Sequence, residues 1–204
     1  MDNSKQRKLE FWFDFGSNYS YLSVMRIGAL AADAGVDVCW RPFLLGPIFK
    51  SFGWNNSPFV LQKEKGAYVW QDMERECRKY QLPWQRPTTF PRHSLLPVRI
   101  ALYGGDAAWV PEFCKLVMLR NFAEDSDINE VESVVGILER LQLDPAALIA
   151  AAQSEENKNR LRERTEQARA KGIFGAPTFF VDHDMFWGND RLDDAIALAR
   201  QGVA

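Results

Sequence analysis

The sequence is poor in the residues that most often build metal and dithiol sites, with 3 cysteines and 2 histidines among 204 residues. Cys39, Cys77 and Cys114 are scattered and form neither a CxxC pair nor a metal-ligand spacing. His93 and His183 have no visible chemical partner and read as structural or surface residues. Long apolar runs are missing, so no membrane span is expected. The first eight residues are polar, without the apolar stretch of an export signal. These features predict a cytoplasmic protein whose thiols stay reduced. An excess of one charge is missing as well. With a net charge of −2, nucleic acid and anionic membrane have no electrostatic footing as partners. There is no internal repeat and no low-complexity tract.

What is present is an ordinary globular composition, 47% apolar and 25% charged. A chain of this length buries about 70% of its unfolded surface, so folding needs neither disulfide nor metal. The 7 tryptophans and 14 phenylalanines are generous; most belong in a core, and some could line an apolar ligand pocket.

Leu9 to Phe15 is an aromatic, partly alternating run that reads as a strand. Gly16-Ser17-Asn18 supplies a turn and capping side chains. A helix follows through Tyr21 to Ile27 and stops at Gly35. Residues 36–43 read as a second strand, and a right-handed crossover makes the two parallel. Ser57-Pro58 opens a helical region in which Trp70, Met73, Cys77 and Tyr80 form an amphipathic stripe. Further helices are expected at 94–103, 107–123, 129–141 and 145–152, and Ser154 caps a polar helix reaching Gly172. A hairpin follows, with strands at 178–181 and 185–187. Asn189 or Asp190 then caps a last helix to about Gln201. The order β-α-β, helices, β-β-α is that of an α/β, thioredoxin-like fold with a large all-helical insertion. Residues 1–45 and 172–204 would form the thioredoxin-like domain and 46–171 the inserted helical domain.

Ser17 sits at the strand-to-helix turn. Helix N-termini carry unpaired N–H groups and partial positive charge, so they stabilise anions such as a thiolate. A serine there could donate to such an anion, or it could simply cap the helix.

Phe11-Trp12-Phe13-Asp14-Phe15-Gly16-Ser17-Asn18-Tyr19-Ser20-Tyr21-Leu22 resembles the opening of the 2-hydroxychromene-2-carboxylate isomerases and of the related kappa-class glutathione transferases. Arg41-Pro42-Phe43-Leu44-Leu45-Gly46 with Phe49-Lys50, the stretch Gly172 to Val181, and Phe186 to Leu192 resemble three further motifs of these families. Related disulfide oxidoreductases carry CxxC where this chain has Ser17-Asn18-Tyr19-Ser20; with no sulfur at the turn, dithiol exchange is excluded. The families usually have proline after the serine, and here it is Asn18.

The resemblance implies glutathione as cofactor and Ser17 as the catalytic residue, holding its sulfur as thiolate at the helix terminus. Pro177 is implied to be cis, with Ala176 offering its main-chain N–H and C=O to glutathione like an added strand. Trp187, Gly188, Asn189 and Asp190 complete the implied glutathione site, Asp190 facing the γ-glutamyl end. Lys50, in a loop, would hold the carboxylate of a small aromatic substrate, with Asn56 and Phe90 nearby; Phe90 stands where the family has a tyrosine. The implied activity is glutathione-dependent cis–trans isomerisation. A kappa-like transferase or peroxidase acting on electrophiles, or a non-catalytic binding protein of the same fold, are the alternatives. The families' habit of pairing implies a homodimer.

Overall fold

The first strand is buried on both faces, which explains its nearly unbroken run of large apolar residues. In the computed structural model, residues 8–201 are described, so the polar start of the chain lies outside the described residues. β1 (Lys8–Phe13) pairs in parallel with β2 (Asp37–Pro42), and α1 (Asn18–Ala34) is the crossover between them. Gly35 ends α1 in the left-handed conformation, with φ of 68°. β3 (Thr178–Val181) runs antiparallel to β1 and forms a hairpin with β4 (Asp184–Trp187), giving the sheet order β2-β1-β3-β4.

Phe11 anchors the main core. Its ring stacks on Phe179 of β3 at 5.2 Å and meets Trp40 of β2 edge-on at 5.3 Å. Trp12 points the other way, into a second cluster with Phe43, Ile48, Ala168, Ile173 and Phe180. The period of two along β1 thus feeds two cores.

Between β2 and β3 lie α2 (Leu45–Ser51), α3 (Pro58–Leu61), α4 (Lys63–Lys79), α5 (Leu95–Gly104), α6 (Val110–Phe122), α7 (Val131–Arg140), α8 (Pro145–Ala152) and α9 (Glu155–Ala170). The expected caps operate: the Ser57 hydroxyl accepts from the Phe59 N–H at 3.3 Å, and the Ser154 hydroxyl from the Asn157 N–H at 3.2 Å. Met73 and Cys77 from the α4 stripe are buried, and the main core runs without a break from the sheet and α1 into α5, α6 and α7. No helix among the described residues is long and apolar enough to cross a membrane.

The last helix departs from expectation. A 3₁₀ turn, Asn189–Arg191, intervenes, and α10 (Leu192–Arg200) starts at Leu192 with no side-chain cap. Asn189 does not cap because its side-chain oxygen accepts from Ser23 and Arg26 on α1 instead.

Candidate active site

The site is built where β1 runs into α1. The Ser17 hydroxyl caps the helix, accepting from the Ser20 N–H at 3.2 Å, while the Ser17 carbonyl accepts from the Tyr21 N–H at 3.2 Å. Its own proton goes elsewhere: it is donated to the Ala176 carbonyl at 2.9 Å, a contact between residues 159 apart in sequence. The two readings of Ser17 therefore do not compete. A lone pair caps the helix, and the proton faces the segment before Pro177. The Ala176–Pro177 bond is cis. The Ala176 N–H makes no hydrogen bond among the described residues, and its carbonyl keeps a second lone pair. Ala176 thus keeps a donor and an acceptor for an extended ligand.

Behind this turn lies a residue that sequence reading missed. Asp14 is buried at 6% exposure and accepts three hydrogen bonds. Its Oδ1 takes the Gly16 N–H at 2.8 Å and the Ser94 hydroxyl at 2.9 Å; its Oδ2 takes the Leu45 N–H at 2.7 Å. One carboxylate therefore fixes the start of α2, the start of α5 and the Ser17 turn relative to each other. Burial raises its pKa above the ordinary carboxylate value, against the pull of those three donors. The signal available in sequence was a lone acid inside an aromatic strand end, Phe13-Asp14-Phe15.

The remote cap on Leu45 also corrects the setting of Lys50. That lysine is not in a loop but in the last turn of α2, exposed towards the cleft. Gly46-Pro47 looks like a breaker locally, yet proline is tolerated in a first helical turn whose N–H groups need outside partners anyway.

At the other end, the Gly188 N–H donates to the Pro177 carbonyl at 3.0 Å. Its φ of 108° suits glycine alone, and a Cβ there would collide with the Asp190 carboxylate. Asp190 is exposed and paired with Arg191 at 3.3 Å. Asn189 is buried, its Oδ1 accepting from the Ser23 hydroxyl at 3.1 Å and from Arg26 at 3.0 Å. Its side-chain oxygen is thus held by α1, while its side-chain NH₂ and its main chain remain for a ligand. Trp187 is half exposed and packs on Phe174, with ring centroids 4.8 Å apart.

Across the cleft, Asn56 is exposed with its Oδ1 accepting from the Ser57 N–H at 2.8 Å. Phe90 is half-buried and meets Trp70 edge-on at 4.7 Å. Tyr19 donates to Asp72 at 2.6 Å, bracing α1 against α4; burial, and then that carboxylate, push its pKa far up, so it stays neutral. Ser17, Lys50, Asn56, Phe90, Ala176, Pro177, Trp187, Gly188, Asn189 and Asp190 all line one cleft of about 1970 Å³. A single drug-sized ligand takes a pocket of about 300–1,000 Å³, so two small molecules fit side by side. His93 is exposed, as a surface residue is, and it also stands in this wall. The cysteines do not line it; burial pushes Cys77 to about 12 and raises Cys114 as well. Among the described residues no group of His, Cys, Asp or Glu could hold a metal ion.

Comparison with known proteins identifies the family. Residues 8–197 match the model of the DsbA-like thioredoxin domain. A 2-hydroxychromene-2-carboxylate isomerase of Sphingobium xenophagum is 32% identical over 190 residues, covering 92% of this chain and 95% of its own. Glutathione S-transferase kappa 1 of Rattus norvegicus is 25% identical, covering 92% and 88%. A solved 2-hydroxychromene-2-carboxylate isomerase superposes with a TM-score of 0.84 at 28% identity, covering 95% of this chain and 96% of that one. The chain belongs to the DsbA-like thioredoxin-domain family, within the group of the 2-hydroxychromene-2-carboxylate isomerases.

Proposed function

We propose that this protein is a glutathione-dependent cis–trans isomerase of a small aromatic carboxylate. The observation that carries the reading is the Ser17 hydroxyl, at the N-terminus of a 17-residue helix and 2.9 Å from the carbonyl before a cis-proline, with no sulfur at that turn. A thioredoxin-like site built this way lacks its own thiol but keeps the surroundings that stabilise one. The residues present fit glutathione: Ala176 has a free N–H, the α1 terminus has unpaired donors, and Asp190 presents an exposed carboxylate to an ammonium group.

When bound, glutathione supplies a thiol nucleophile whose reversible addition lets a conjugated double bond rotate, and it is not consumed. The chain's own residues do the rest. The α1 terminus stabilises negative charge on sulfur, and the Ser17 hydroxyl joins it when its proton turns from the Ala176 carbonyl to the sulfur. Ala176 pairs with the tripeptide main chain, Asp190 with its amino end. Lys50 is a point cation on the opposite wall, suited to a carboxylate of the second ligand. Phe90 packs against an aromatic ring there but has no hydroxyl to offer it.

The kappa-type relatives support a second reading, in which the same glutathione site serves conjugation or reduction of an electrophile. One assay separates the two. Purified protein is incubated with 2-hydroxychromene-2-carboxylate, with and without glutathione, following both substrate and free thiol. The isomerase reading expects turnover that requires glutathione and leaves its concentration unchanged. Stoichiometric thiol loss on an electrophile, without isomerisation, would favour the transferase reading, and turnover without glutathione would defeat both.

A further inference from the structure

The residue after Ser17 carries an oddity of its own. Asn18 is the first residue of α1, is 1% exposed, and lines the cleft. Its side-chain nitrogen Nδ2 is buried and has no hydrogen-bond partner. An unsatisfied buried donor is uncommon and asks for an explanation.

The surrounding hydrogen bonds narrow what that explanation is. In the first turn of α1, the Ser20 N–H is spent on the Ser17 hydroxyl and the Tyr21 N–H on the Ser17 carbonyl. The main-chain N–H groups of Asn18 and Tyr19 have no partner among the described residues. The Ser17 hydroxyl has one proton, and the Ala176 carbonyl takes it. So Ser17 alone does not furnish the donors an anion needs, while three N–H sources beside it are idle. Side chains on a helix lean towards its N-terminus, which brings the short Asn18 amide to the same end as those two main-chain groups.

We propose that the Asn18 side-chain amide is a ligand-directed donor which, with the Asn18 and Tyr19 main-chain N–H groups, forms a three-donor pocket for the sulfur anion of bound glutathione. This rests on the glutathione reading above and deepens it. A proline in this position offers neither a side-chain donor nor a main-chain N–H, so asparagine adds two donors at once. This chain thereby relies on hydrogen bonds from residue 18 where a proline-bearing relative would depend on the serine and the rest of the helix terminus.

The test compares parent, Asn18→Ala and Asn18→Leu, the last close to asparagine in size. Each is measured for melting temperature without ligand, for calorimetric binding of glutathione and of S-methylglutathione, and for ultraviolet thiolate absorbance across pH. Because the donor is unsatisfied without ligand, both variants should melt no lower than the parent. S-methylglutathione, which has no ionisable sulfur, should bind all three alike. The acidity of bound glutathione should fall about tenfold in both variants, the size of one hydrogen bond to a charged atom. Unchanged acidity in a variant that binds glutathione would overturn the proposal. So would an equal loss for both ligands, which would place the amide against the tripeptide backbone, or a lowered melting temperature with unchanged acidity, which would make it a packing residue. A parent that binds no glutathione would instead bring down the functional reading itself, and this proposal with it.

Discussion

Replacing Asp14 by asparagine keeps the shape of the side chain and alters only its hydrogen-bonding. In the parent, Oδ1 accepts from Gly16 and Ser94 and Oδ2 from Leu45. An asparagine oxygen can keep the first pair, but its NH₂ then faces the Leu45 N–H, donor against donor. One charge-assisted bond is lost, worth ~1.5–3 kcal/mol, and a part-buried donor is stranded; relief from burying a carboxylate returns some of this. The net loss is about 2 kcal/mol at neutral pH, a sizeable part of the ~5–15 kcal/mol that holds a domain folded. The pH dependence is more telling than the size. Burial raises the folded pKa of Asp14 above the ordinary 3.8. A carboxyl raised on folding contributes stability that is complete below its unfolded pKa and is lost as pH rises through the folded value. The variant has no such titration, so its deficit relative to the parent should be largest in acid and shrink towards neutral pH. Urea unfolding of both proteins across that range measures the difference directly. A deficit that grew with pH would show the three donors outweighing burial, and would refute the reasoning.

Other perturbations probe the rest of the site. Gly188→Ala places a β-carbon against Asp190 at a φ of 108°, and should cost ~1–3 kcal/mol in stability and weaken glutathione binding, read by thermal melts and calorimetry. Lys50→Met removes the cation from the substrate wall; the KM for a chromene carboxylate should rise about tenfold with little change in kcat, and an unchanged KM would remove Lys50 from the site. Asp125, whose pKa is lowered first by its hydrogen bond from Arg92, contributes stability present above 3.8 and lost as pH falls through its folded value. Asp125→Asn should therefore flatten the acid limb of the unfolding curve.

The elements that position the site were legible because their signals are local. The alternating aromatics of β1, Gly35 ending α1, Ser57 and Ser154 as caps, and the turn between β3 and β4 are each set by a few neighbouring residues. What depends on distant parts of the chain was harder to read. Nothing near Leu45 shows that Asp14, 31 positions earlier, holds the N-terminus of α2, so local signals place Lys50 in a loop. Asn189 looks like a helix cap until Ser23 and Arg26, both on α1, are seen holding its carboxamide. His93 carried no local mark of being in the cleft. It is placed there by its neighbours: the Arg92 side chain is anchored by Asn121 and Asp125, and Ser94 by Asp14. The meeting of Ser17 with Ala176 was implied by family resemblance, not by spacing, since no periodicity links residues 159 apart.

In the proposed reaction, Ser17 and the start of α1 hold a borrowed sulfur as its anion. The most direct test is the ultraviolet thiolate absorbance of glutathione bound to the parent and to Ser17→Ala near neutral pH, with binding of each confirmed by calorimetry. The parent should show a strong thiolate signal, and the variant should bind with similar affinity yet lose most of it. Equal signals from the two proteins would contradict the role given to Ser17.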